Sequence, residues 1–140
     1  MKFELTDEQK MLQKMCRDFA EQVIKPVAAK LDREHNFPAD IVKQMGELGL
    51  MGIFAPTELS GAGMDCVSYA IAMEEISRAC ASCSVIMTVN NSLYIEPILH
   101  HGNKQQHEKF IRPVASGKAM GCFGLTEPMS GSDAAEMKTI

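Results

Sequence analysis

VIMTVNNSLYIEPIL, Val85 to Leu99, is the stretch whose reading decides the fold. Val85, Ile86, Met87, Val89, Leu93, Ile95, Ile98 and Leu99 surround the axis of a helix whose only charge is Glu96. A helix that is apolar on every side is the buried, central member of a helical domain. Its polar residues, Thr88, Asn90, Asn91 and Ser92, must then find partners or line a cavity, because an unpaired buried polar group is costly. The asparagines, Glu96 and Pro97 also argue against a membrane span.

Upstream, Asp65 is placed to cap a helix whose stripe is Tyr69, Met73, Ile76 and Cys80. Phe54 to Asp65, with Gly61 and Gly63, reads as a loop. A shorter helix begins near Pro38, uses Ile41, Met45 and Leu48, and ends at Gly49 and Gly52. Thr6 with Gln9 forms a capping-box pattern. It opens a helix with the stripe Leu12, Met15, Phe19, Val23 and Val27, which Pro26 should kink or break. Downstream, Gly102 stops the central helix, and Asn103 with Gln106 caps another that turns Phe110, Ile111 and Val114 inward. Gly117 stands just past its end. After Lys118 the uncharged AMGCFGLT favours a strand.

The 140 residues suit one domain with a real core, and 46% hydrophobic with 23% charged residues is ordinary for a globular chain. A net charge of −4 with scattered basic residues gives no case for nucleic-acid binding. Five cysteines form no disulfide framework and suit a reducing compartment. Cys80 and Cys83 make one C-x-x-C without the second ligand pair a structural zinc site needs, so they read as small, half-buried helix residues and no metal is expected. His100, His101 and His107 suit helix ends. MKFELTDEQK has neither a signal-peptide core nor a targeting helix, which leads us to expect a soluble, non-secreted chain.

The expected strand runs into GLTEPMSGSDA, Gly124 to Ala134. Gly131 tolerates dihedrals and close approaches that a Cβ forbids. Thr126, Ser130 and Ser132 offer hydroxyls, and the N–H groups near Gly131 and Ser132 suit an anion-binding nest. On physics alone such a segment is most often only a turn, and no G-x-G-x-x-G or Walker loop is present.

GLTEPMSGSDA resembles the flavin-site signature of the acyl-CoA dehydrogenases. MGELGLMGIFAPTELSGAGMD, SYAIAMEEISRACA, VIMTVNNSLY, GNKQQHEKFIRPVASG and GCFGLTEP resemble, in order, the short-chain (butyryl-type) branch, so the likeness covers essentially the whole chain. The resemblance implies an all-α fold class, with an N-terminal helical-bundle domain over residues 1–118. Residues 119–140 would be the first strand and turn of an incomplete middle β domain. It implies FAD as cofactor and a reaction that converts short-chain acyl-CoA to trans-2-enoyl-CoA. Phe123 and Leu125 would lie by the isoalloxazine, and Thr126 would face the ring. Gly131 and Ser132 would approach the phosphates, Ser132 also facing the CoA moiety. Tyr94 and Ile95 would close the far end of the acyl pocket and favour a short chain; core packing is the competing reading. Glu127 and Pro128 would shape the turn, with Glu127 not a base.

The family's catalytic glutamate lies in a C-terminal segment that nothing here matches, so no catalytic residue is expected in this chain. The implied partners are acyl-CoA and electron-transferring flavoprotein, with a homotetramer in the full-length family and no nucleic acid or membrane. The implied location is bacterial cytoplasm or, in a eukaryote, the mitochondrial matrix. Met129, Glu136 and Ser60 depart from the family pattern, where smaller residues are usual. The alternative reading is a non-catalytic helical module that binds acyl-CoA or full-length homologues.

Overall fold

A computed structural model describes residues 4–139; the expected domain limits at Met1 and Ile140 lie outside them. Its α-helices are α1 (Asp7–Phe19), α2 (Lys25–Glu34), α3 (Ala39–Glu47), α4 (Cys66–Ala79), α5 (Ala81–Thr88), α6 (Glu96–His101), α7 (Lys104–Gln106) and α8 (Arg112–Ala115). α1 packs on α4, and α5 lies against both α4 and α3. No helix among the described residues is long and apolar enough to cross a membrane.

The capping box forms as expected. Thr6 Oγ1 accepts the Gln9 N–H at 3.2 Å, and Gln9 Oε1 accepts the Thr6 N–H at 3.1 Å. The first helix does not break at Pro26. It passes through a π turn, Ala20–Ile24, and continues as α2. The same device joins α5 to α6 through Val89–Ile95, and α7 to α8 through His107–Ile111. Each π turn ends on a fully buried isoleucine, then a charged residue, then proline: Ile24-Lys25-Pro26, Ile95-Glu96-Pro97, Ile111-Arg112-Pro113.

Proline explains the recurrence. It has no N–H, and its ring collides with the carbonyl four residues back. In each case the residue before proline donates to the carbonyl five residues back: Lys25 to Ala20, Glu96 to Asn91, Arg112 to His107. The widened turn carries the helix past the proline. It also shifts the apolar phase by one residue. The expected stripe holds through Leu12, Met15, Phe19 and the half-buried Val23; beyond it Ile24 is buried and Ala28 and Leu31 are half-buried, while Val27 is exposed.

Two core clusters result. One joins α1, α3, α4 and α5 around Cys16, Ile24, Met45, Ile76 and Met87. The other gathers Ala55, Leu59, Ile95, Ile111, Val114 and Ala115. α3 starts after Pro38, and the chain turns at Gly49, φ 77°. Leu48 falls after α3 and is exposed, not inward as the stripe suggested. Phe110 likewise lies near the surface, with Lys109 Nζ 5.0 Å from its ring centroid. The expected loop is tied back by Ala62 N–H to Gly52 O, Gly63 N–H to Ala55 O and Met64 N–H to Ile53 O, each 2.9 Å. Asp65 caps α4 by accepting the Ser68 N–H at 2.8 Å.

The central helix is not enclosed. Cys83, Met87, Asn90, Asn91 and Ile95 are buried, whereas Val85 is 57% and Leu93 40% exposed. The described residues cover only one of its sides. Its asparagines find partners instead of a cavity: Asn90 Nδ2 donates to Met51 O at 2.6 Å, and Asn91 Nδ2 to Leu50 O and Met87 O, both at 2.9 Å. Between α1 and α4, Glu75 is buried and accepts from Arg17 Nε at 2.9 Å, Arg17 Nη2 at 2.5 Å and Arg78 Nη1 at 2.9 Å.

AMGCFGLT forms no strand. A strand needs a ladder partner for its N–H and C=O groups, and the described residues supply none. The one bridge nearby is the antiparallel pair Glu127 and Ser130.

Candidate functional site

The segment after α8 carries the residues singled out in the sequence. It starts from a tight helix end. Gly117, φ 72°, donates to Val114 O and Lys118 to Pro113 O, both at 3.0 Å, the reciprocal pair of a Schellman motif. Gly121 then lies on the ring of Tyr94, where an added Cβ would stand 2.3 Å from Cγ. Its N–H donates to Asn90 Oδ1 at 2.8 Å.

Beyond Gly121 the chain is exposed. Phe123 is 48% and Leu125 43% accessible, and Thr126 is exposed. The turn closes with Glu127 N–H to Ser130 O at 2.8 Å and Ser130 N–H to Glu127 O at 3.2 Å. Ser130 is buried and its hydroxyl donates to Asp133 O, so this hydroxyl is used within the turn. The hydroxyls of Thr126 and Ser132 and the N–H groups of Gly131 and Ser132 meet no acceptor or donor among the described residues. Gly131 does not need its freedom internally: its φ is not positive, and an added Cβ would meet only Thr126 Cγ2 at 3.8 Å. Met129, 87% exposed, projects from the tip and does not crowd the turn.

Glu127 holds the turn against the chain beyond it. Its two carboxylate oxygens accept the N–H groups of Lys138 at 2.9 Å and Thr139 at 2.8 Å. These bonds, from Thr139 first and Lys138 next, lower its carboxyl below the usual glutamate value. The engaged carboxylate suits a shaping role and not a base.

Tyr94 and Ile95 part company. Ile95 is fully buried in the second core cluster. Tyr94 is half-buried and, with Pro97, Ile98, His101, Gly102 and Phe110, lines a cleft of about 490 Å³. A larger cleft, about 770 Å³, lies between the start of α1 and residues 62–65 and contains none of the expected site residues. Cys83 packs in the first core, and burial pushes its thiol and that of Cys16 up to about 12. His107 Nε2 lies 3.0 Å from Ile98 O, at the end of α6. No group of three His, Cys, Asp or Glu among the described residues could hold a metal ion.

Two features escape sequence reading. The Glu127 clamp on residues 138–139 leaves no local signature. The Asn90–Gly121 contact has a partial one, since the polar residues of an apolar helix must find partners.

Known proteins resemble this chain over nearly its whole length. A mitochondrial short-chain specific acyl-CoA dehydrogenase of Bos taurus is 57% identical over 136 residues, covering 97% of this chain and 33% of that protein. The structure of butyryl-CoA dehydrogenase from Megasphaera elsdenii superposes with a TM-score of 0.92 at 32% identity, covering 99% of this chain and 37% of that one. An acyl-CoA dehydrogenase from Bacillus anthracis, solved in complex with FAD, gives 0.89 at 34% identity over 96% of this chain and 23% of that one. The chain thus spans about a third of the length of the curated relatives it matches. The family model described as acyl-CoA dehydrogenase, N-terminal domain, matches residues 6–118, and the chain belongs to that family.

Proposed function

We propose that this chain is the N-terminal portion of an FAD-dependent enzyme that dehydrogenates short-chain acyl-CoA thioesters to trans-2-enoyl-CoA. The observation that carries the reading is the 57% identity with a relative named for short-chain acyl-CoA. In this reading residues 1–118 form the helical domain and 119–140 open the next one. The match of the family model to residues 6–118 supports that division.

The residues fit a flavin on their own terms. Phe123 and Leu125 present exposed apolar surface, Thr126 and Ser132 present unengaged hydroxyls, and the N–H groups at Gly131 and Ser132 are free among the described residues. Bound, FAD would accept the hydride from the substrate's β-carbon. Phe123 and Leu125 would exclude water from its ring, and Thr126 would donate a hydrogen bond where charge develops. Gly131 and Ser132 would hold phosphate, and Ser132 would also meet the CoA moiety. Tyr94 bounds the acyl end, with Ile95 behind it as packing. The α-proton needs a base, which on this reading lies in a part of the enzyme beyond these residues. Electrons would pass on to electron-transferring flavoprotein, and the whole enzyme would be a homotetramer in bacterial cytoplasm or mitochondrial matrix.

The 140-residue chain with added FAD, butyryl-CoA and a dye acceptor is expected to show no turnover. The complete reading frame from the source is expected to yield a yellow protein whose flavin bleaches on adding butyryl-CoA. A colourless complete protein, or bleaching only by long-chain thioesters, would overturn the reading.

A further inference from the structure

We propose that Asn90, with Tyr94 beside it, is a positioning residue that sets the register of Cys122 to Thr126. The inference rests on the reading that this segment faces the flavin. Among the described residues, residues 120–126 make a single hydrogen bond, the one from Gly121 N–H to Asn90 Oδ1 at 2.8 Å. At the same residue the Tyr94 ring presses on the backbone so closely that no Cβ fits. One contact fixes where Gly121 sits along the chain, and the other fixes its height above the helix. Phe123 and Leu125 lie two and four residues further on.

Asn90 can do this because it is itself immobile. It is 1% exposed, and its amide nitrogen donates to Met51 O at 2.6 Å. Only a short planar side chain with a donor and an acceptor serves both ends; aspartate would face Met51 O without a proton to give. The π turn Val89–Ile95 carries both Asn90 and Tyr94, four residues apart and on one face. Asn91, equally buried, serves other partners. Its Oδ1 accepts the Ile53 N–H at 2.7 Å, and it makes no bond to the segment after α8.

The pair provides its own control. Amide hydrogen exchange on the 140-residue chain is expected to show Gly121 protected although its neighbours are exposed. Asn90→Ala should speed Gly121 exchange about tenfold, with Ile53 still protected. Asn91→Ala should do the reverse. Both variants remove a buried amide, so loss of stability alone moves the two sites together. Gly121→Ala approaches from the other side and is expected to speed exchange of the residue-121 amide while Ile53 stays protected. A freely exchanging Gly121 in the wild type, or the same response of Gly121 to both asparagine variants, would overturn the proposal. Flavin titration of the complete protein separates the two readings. A wild type without flavin defeats the proposed function and leaves the Gly121 result standing. An Asn90→Ala protein with unchanged flavin absorbance and affinity defeats the link from register to cofactor.

Discussion

Glu75 sets one negative charge between the guanidinium groups of Arg17 and Arg78, with its own side chain 1% exposed and theirs about half. The Arg17 hydrogen bond, working against burial, holds its carboxyl below the ordinary 4.5. Such a group is more readily ionised folded than unfolded. Its contribution is therefore complete above about pH 4.5 and fades as pH falls through the lowered value. Glu75→Gln is expected to cost about 2–3 kcal/mol, short of a fully buried pair because both arginines reach solvent. Urea unfolding measures that cost, and its pH slope between about 5 and 3 should flatten in the variant. Glu127 has the same sign. Protection of the Lys138 and Thr139 amides should fade as pH falls through its lowered pKa, and Glu127→Gln should weaken it at every pH; exchange rates at the two amides decide. Legibility varied residue by residue. Thr6, Asp65 and Asn103 were readable because a cap is a local bargain between a side chain and N–H groups two or three residues on. The Arg17–Glu75 pair and the Glu127 clamp were not, since those partners lie 58 and at least 11 residues apart.

Helices in this chain are set by their ends and by their prolines. Thr6→Ala is expected to cost about 1 kcal/mol, readable in chemical unfolding, because the Gln9 N–H in the first turn of α1 loses its acceptor. Ile95, at the end of a π turn and fully buried, should cost about 2–5 kcal/mol on truncation to Ala. If Ile95 chiefly shaped an acyl pocket open to solvent, the loss would be well below that range. The existence of these elements was legible from caps and apolar spacing. Their phase was not. The Val27 expectation failed because a 3.6-residue period was carried across a turn that uses an extra residue. The signal that would have helped is in plain view: isoleucine, a charged residue and proline, at three places.

The molecule is a packed helical body followed by a tail that is tied to it at Gly121 and carries exposed apolar residues beyond. Met120, Phe123, Leu125 and Met129 are all exposed, as are Val85 and Leu93 on the central helix. If residues 119–140 open a second domain, the complete protein should cover much of this surface. The 140-residue chain is then expected to enhance the fluorescence of a hydrophobic dye well above the complete protein at equal concentration. Brief trypsin treatment should cut after the exposed Lys118 and leave residues up to it resistant, with intact mass as the readout. The helical body was legible as a body, since each stripe demanded another to pack on. The tail was legible only through its likeness to a flavin-site signature, because a lone segment has no pairing pattern to read. The π turns bear on how such a body tolerates changes in length. Each is one residue longer than the α-turn it replaces, so each is a place where a residue can be removed without swinging the downstream helix. Deleting Gln22 together with Pro26→Ala should leave α2 facing as it does now. A deletion in the middle of α1 would rotate everything beyond it by about 100°.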